Sequence, residues 1–200
     1  QALGVSGEEQ LPTLQHFIHR SCAVKEFPLA HVAIEKKTGR PAGFVCSELI
    51  FRDPKEDPVK LPPPVRSEKF AHIARIMAET REMAFALYPN ENVFLNKKYG
   101  FTARPFRGLH LNEAMSMYNT DFDEFLKRGI NIITCHSVNR NSARAFLSVG
   151  FNVVGVGSPP RGMDGELANF AHGPPVLLTM DMRTGRNADP LPVWRRAGLV

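Results

Sequence analysis

Ile130-Asn131-Ile132-Ile133-Thr134, followed by Asn139-Arg140-Asn141-Ser142-Ala143-Arg144-Ala145-Phe146-Leu147-Ser148-Val149-Gly150-Phe151-Asn152-Val153-Val154, is the stretch on which the fold turns. Its first five residues form a short β-branched run, the composition of a strand buried on both faces. Asn139 carries the side-chain oxygen that caps a helix start, and residues 139–149 read as that helix. Gly150 supplies the residue on which a helix stops and turns back into a strand, 151–154. Strand, helix and strand in immediate succession predict a mixed α/β architecture.

Upstream, Leu111, Ala114, Met115, Tyr118 and Phe122 share one helical face, and Arg128-Gly129 reads as a stop, so one helix is expected over residues 108–125. Val93 and Leu95 alternate ahead of Lys97-Lys98, and Tyr99 and Phe101 resume the pattern across Gly100, giving a strand over 92–102. Residues 67–87 carry Phe70, Ile73, Ala74, Met77, Met83, Ala84 and Leu87 at helical spacing. Pro54, Pro58, Pro62, Pro63 and Pro64 mark residues 53–64 as an exposed connection. Residues 31–35 and 42–51, joined by the turn Lys37-Thr38-Gly39-Arg40, form a β-hairpin, and Leu11, Leu14, Phe17 and Ile18 place an amphipathic helix before it. Downstream, a Gly/Pro segment over 155–175 leads to a last strand at 176–182 and a polar, basic tail. The expected division is a single domain over residues 1–182 and a loosely ordered tail over 183–200.

A length of 200 residues with 43% hydrophobic content suffices for one substantial core. No apolar run reaches membrane-spanning length, so no membrane partner and a cytoplasmic location are expected. Cys22, Cys46 and Cys135 form no zinc-ligand pattern, and reduced, mostly buried thiols without a metal are expected. Cys135 and His136 do not form a nucleophile and base, because neighbours on a strand face opposite ways. The net charge of +5 suits an anionic partner. Lys97, Lys98, Arg104 and Arg107 cluster before the segment that starts at Gly108, whereas no aromatic-plus-basic nucleic-acid module is visible, so a small polyanion is expected and nucleic acid is not.

The run from Asn139 through Ser142, Phe146 and Gly150-Phe151 resembles the Asn-x-x-Ala-x-x-x-Tyr-x-x-x-Gly-Phe signature of the GNAT superfamily of acetyltransferases. The resemblance implies a GNAT fold, a central twisted mixed sheet flanked by helices, and acetyl-CoA as cofactor. Asn139 would bond the pantetheine arm, and Ser142 would allow its close approach. Arg107-Gly108-Leu109-His110-Leu111-Asn112 falls where the family has an Arg/Gln-x-x-Gly-x-Gly/Ala loop whose amides hold a pyrophosphate at a helix start. Arg107 matches that loop; His110 and Asn112 stand where the family has Gly and a small residue.

Most of the chain is similar to invertebrate arylalkylamine N-acetyltransferases: the helix and Pro28-Leu29 turn, the hairpin with Thr38-Gly39, and the long helix ending in Tyr88-Pro89. In those enzymes a glutamate before the Pro-Leu pair is the base, which implies Glu26, displaced by Phe27, with His110 and Glu113 in reserve. Oxyanion donors are implied around Phe101, Thr102 and Ala103. Phe146 occupies the position of the family's acid tyrosine and cannot donate a proton, so water, Ser142 or another group replaces it, or the thiolate leaves unaided. The implied reaction is acetyl transfer to a small arylalkylamine or related amine by a monomer or weak homodimer. The alternative is a catalytically weak GNAT-fold binding protein.

Overall fold

The computed structural model describes residues 7–26, 28–62, 68–109, 111, 114–115, 121–137, 140–156 and 176–184. Helix α1 (Gly7–Ala23) precedes strands β1 (Ala30–Ile34) and β2 (Pro41–Phe51). Helix α2 (Glu68–Leu87) leads into β3 (Val93–Thr102). After it come α3 (Phe122–Lys127), β4 (Ile132–Ser137), α4 (Arg140–Leu147), β5 (Asn152–Val156) and β6 (Val176–Asp181). The expected hairpin, the flanking helices and the strand–helix–strand unit are all present.

Two expectations are corrected. Residues 108–125 are not one helix: Leu111, Ala114 and Met115 are helical, but Asp121 lies outside the helix and its carboxylate accepts the Glu124 amide, capping a new element, α3. A periodic apolar face does not register such a cap, because an Asx side chain offers the backbone a competing hydrogen bond. The strand expected at 130–134 begins at Ile132, since the amide of Ile130 is taken by Phe125 O in the C-terminal turn of α3.

The six strands form one sheet in the order β1-β2-β3-β4-β6-β5. All neighbours are antiparallel except β3 and β4, which are parallel through four pairs, Phe94↔Ile132, Leu95↔Ile133, Asn96↔Thr134 and Lys97↔Cys135. Beyond them β3 stays with β2 as far as Thr102, and β4 stays with β6 as far as Ser137, so the two strands part. The cause is local. Cys46 pairs with Tyr99 and Ser47 with Lys97, leaving Lys98 as the extra residue of a bulge, and a bulge bends its strand and sharpens its twist.

Alternation divides the sheet between two cores. Leu95, Ile133, Cys135, Leu178 and Met180 face Phe125 of α3, with Phe146 of α4 packed against them. Phe94, Ile132 and Leu177 face Ala84 and Phe85 of α2. Each fully buried aliphatic or aromatic side chain contributes about 1.5–3 kcal/mol. Gly43 is required where β2 meets β3, because a Cβ there would lie 2.6 Å from Phe101 O. Gly150, at φ 102°, ends α4 in a backbone conformation that suits glycine, as its place after the helix predicted. No helix among the described residues is long and apolar enough to cross a membrane.

Candidate functional site

The bulge at Lys98 puts Lys98 and Tyr99, consecutive residues, along one cavity with Asn96. The cavity, about 360 Å³, lies on the α1/α2 side of the sheet beside the point where β3 and β4 part. Helix α1 contributes Thr13, Phe17 and Arg20, and α2 contributes Ala78 and Arg81. Glu48 enters from β2, Asp57 from the connection after it, and His136 from β4.

Glu48 is the electrostatic centre. Its carboxylate accepts from Arg20 Nε at 3.2 Å and Asn96 Nδ2 at 3.2 Å and meets Lys98 Nζ at 3.1 Å. Arg20 continues through Nη2 to Asp57 Oδ2 at 2.6 Å, while Thr134 Oγ1 donates to Asn96 Oδ1 at 3.2 Å. Burial alone would raise the Glu48 carboxyl, but the charges of Lys98 and Arg20 and the hydrogen bonds from Lys98 and Asn96 outweigh it and hold it below the usual carboxylate range. Lys98 Nζ also lies 4.3 Å from the centroid of the Phe17 ring.

His136 shares this setting without joining it. Neither of its ring nitrogens has a hydrogen-bond partner among the described residues. Burial, then the Lys98 ammonium, lowers its pKa to about 4 against an opposing pull from Glu48, so the imidazole is neutral at physiological pH with one N–H and one acceptor nitrogen. Thr13 Oγ1 and Arg81 Nε are likewise buried without a hydrogen-bond partner, and both line the same cavity. Cys135, next along β4, points to the opposite core, where burial pushes its thiol up to about 12. Neighbours facing opposite ways thus separate Cys135 from His136, as their adjacency on a strand predicts.

The loop after β3 is open. Arg104 and Arg107 are exposed, Arg107 Nε donates to Thr102 O at 3.5 Å, and Gly108 adopts φ 86° with nothing within 4 Å of where a Cβ would sit. Leu109 is exposed and Leu111 half-buried. The described part of this loop thus leaves room beside two guanidinium groups, as a diphosphate requires. The basic cluster is smaller than its sequence suggests: Lys97 is buried on the Cys135 face, where burial lowers its pKa to about 8, and Lys98 is held by Glu48. Of the strand residues expected to supply oxyanion donors, Phe101 is largely exposed and Thr102 and Ala103 half-buried, and the Ala103 amide already donates to Ala42 O at 2.8 Å.

On α4, Ser142 is half-buried, and Phe146 packs edge-on against Phe151 with centroids 4.9 Å apart. Glu26 sits exposed in the bend between α1 and β1 and is not among the residues lining the cavity. His110, Asn112, Glu113 and Asn139 lie outside the described residues. Sequence reasoning passed over Glu48, Arg20 and Arg81, took Lys98 only as part of a basic cluster, and set His136 aside with Cys135. One signal was present: Glu48 is the lone charge in the apolar run Ala42-Gly43-Phe44-Val45-Cys46-Ser47-Glu48-Leu49-Ile50-Phe51, and a buried carboxylate demands cationic partners.

No protein-family model and no curated protein sequence matches the chain. Solved structures do. Arylalkylamine N-acetyltransferase 2 from Aedes aegypti superposes with a TM-score of 0.61 at 16% identity, over 86% of this chain and 80% of that one. A putative arylalkylamine N-acetyltransferase 7 from the same mosquito gives 0.65 at 15% identity, over 91% and 75%. The Drosophila melanogaster polyamine N-acetyltransferase, which forms N-acetylagmatine, gives 0.58 at 11% identity, over 84% and 79%. At such identities the likeness establishes architecture: the chain has the GNAT fold of these N-acetyltransferases.

Proposed function

We propose that the chain is an acetyl-CoA-dependent N-acetyltransferase acting on a small arylalkylamine or related amine. The observation that carries this reading is the place of the cavity, beside the point where β3 and β4 part, in a fold shared with solved arylalkylamine and polyamine N-acetyltransferases. Arg107, Arg104 and the open turn at Gly108 would hold the diphosphate of acetyl-CoA, and Ser142 would border its pantetheine arm. When bound, acetyl-CoA supplies a thioester acyl group, which the amine nitrogen takes up as an amide while coenzyme A leaves as a thiol.

The chain's own residues would then do three things. The cavity on the helical face holds the amine. His136, which lines that cavity, would take the proton the nitrogen sheds in place of Glu26, which does not line it. Backbone amides at the end of β3 answer the developing oxyanion. Because the Ala103 amide points to β2 and successive amides alternate, those of Gly100 and Thr102 point to the edge from which β4 has departed.

The packing of Phe146 on Phe151 favours a second reading, a GNAT-fold binding protein with little turnover, because no hydroxyl stands at that position to protonate a leaving thiolate. Calorimetric titration with acetyl-CoA, followed by thiol release across an amine panel, separates the two. Micromolar binding with amine-dependent thiol release is the expected result. Binding without release selects the second reading, and absence of both removes the cofactor assignment.

A further inference from the structure

We propose that the acceptor amine also carries an acidic group, and that Arg81 and Thr13 recognise it. The proposal rests on the acetyltransferase reading above and narrows its substrate class. A cavity built for a bare ammonium offers that cation a free carboxylate or a cage of rings, since a charge taken out of water must be met by opposite charge or by donors and acceptors. Here both acidic residues in the described lining are committed. Glu48 Oε1 meets Lys98 and Asn96, and Glu48 Oε2 meets Arg20. Asp57 Oδ2 meets Arg20, and Asp57 Oδ1 accepts the Val59 amide. Neither carboxylate has an oxygen left without a partner.

The cations are not so balanced. Arg20, Lys98 and Arg81 line the cavity against Glu48 and Asp57, so the described lining carries one positive charge in excess while His136 stays neutral. That excess belongs to Arg81. Its Nη2 donates to Phe51 O at 2.5 Å, and its guanidinium carbon lies 5.5 Å from the Phe85 ring centroid. The acidic partner it has, Glu82, sits 3.8 Å from Nη1 with its own side chain 76% exposed, where water screens the pair. Its Nε, meanwhile, is buried and without a hydrogen-bond partner.

The residues that hold every buried side-chain nitrogen or oxygen left without a partner among the described residues, Thr13 (Oγ1), Arg81 (Nε) and His136 (both ring nitrogens), all belong to the lining of this one cavity. A buried donor with no acceptor is costly, and residues carrying three such groups converge on this cavity, where a polar occupant can answer them. Arg81 Nε and the Thr13 hydroxyl are donors and ask for an anionic acceptor; His136 offers the acceptor nitrogen that an amine can use. An amine bearing a carboxylate, as amino acids do, satisfies all three.

The test uses matched pairs that differ by one carboxylate: phenylalanine against 2-phenylethylamine, tyrosine against tyramine, arginine against agmatine. With the purified chain at fixed acetyl-CoA, kcat/KM from thiol release is expected to favour the carboxylate-bearing member at least tenfold in two of the three pairs. Equal or better use of the bare amines overturns the inference and leaves the acetyltransferase reading standing. If no amine is acetylated, that reading falls, and calorimetric binding of the same pairs decides the pocket: tighter binding of the acids sustains the inference, and equal or undetectable binding overturns it. Arg81→Met should abolish the preference by raising KM for the acid far more than for the bare amine, with the KM for acetyl-CoA unchanged. A preference that survives Arg81→Met overturns the assignment. Should circular dichroism show that variant unfolded, Thr13→Val, nearly isosteric, is read by the same criterion.

Discussion

The carboxylate of Glu48 is shared by Arg20, Lys98 and Asn96 in a buried setting, so its removal does more than delete one pair. Replacing one member of a buried ion network strands the others, at about 3–5 kcal/mol. Glu48→Gln keeps the shape and one acceptor, and a loss of about 3 kcal/mol by urea denaturation is expected; a change under about 0.5 kcal/mol would show the network to be ornamental. Arg107 is the opposite case, an exposed side chain with one weak contact to Thr102 O. Arg107→Ala should therefore leave the melting temperature in place and raise the KM for acetyl-CoA about tenfold or more, the worth of a charge-assisted contact to phosphate; unchanged kinetics would move the diphosphate elsewhere. The two residues differ equally in how they could be found. Arg107 falls at a recognisable spacing, whereas the meaning of Glu48 depends on Arg20 and Lys98, which reach it only once α1 and a bulged β3 have packed on β2.

At the level of elements, strands and helices were legible wherever one periodicity ran uninterrupted, as in the β1–β2 hairpin and in α2. They failed where a single polar side chain overrode the pattern. Asp121 is the example: its carboxylate accepts the Glu124 amide and starts α3 within what reads as a continuous apolar face. Asp121→Ala should cost about 1 kcal/mol, the worth of an N-cap, measured as a shift in the urea midpoint. An Asn at the same position, which keeps the acceptor, should restore most of it, and failure of that rescue would mean that Asp121 acts through its charge. The bulge at Lys98 was equally invisible, since an inserted residue changes pairing without changing composition. Its effect on the site is large, because it turns a lysine read as part of a surface cluster into an inward partner of Glu48.

Across the whole molecule, acid should weaken the fold in two separable windows. His136 has a pKa of about 4 when folded against an ordinary value near 6.5, so between those limits the unfolded chain holds a proton that the folded chain does not. Stability is therefore lost as pH falls from about 6.5 to about 4, by about 3 kcal/mol in total from this group. Glu48, held low, contributes stability above the ordinary carboxylate pKa that is lost as pH falls through its folded value, so its window lies below that of His136. His136→Phe should flatten the urea midpoint between pH 6.5 and 4.5, leaving a smaller slope from His31, whose pKa burial and Lys97 also lower; an unaltered slope would mean that His136 titrates normally. The four parallel pairs between β3 and β4 carry a different consequence. Among the described residues they are the only strand-to-strand pairing between two three-stranded leaves, so thermal opening of the sheet should begin along that line. A molecule gripping both leaves acts as a fifth stitch: at a hundred times its dissociation constant it should slow hydrogen exchange along the seam about a hundredfold, while the outermost strands exchange as before.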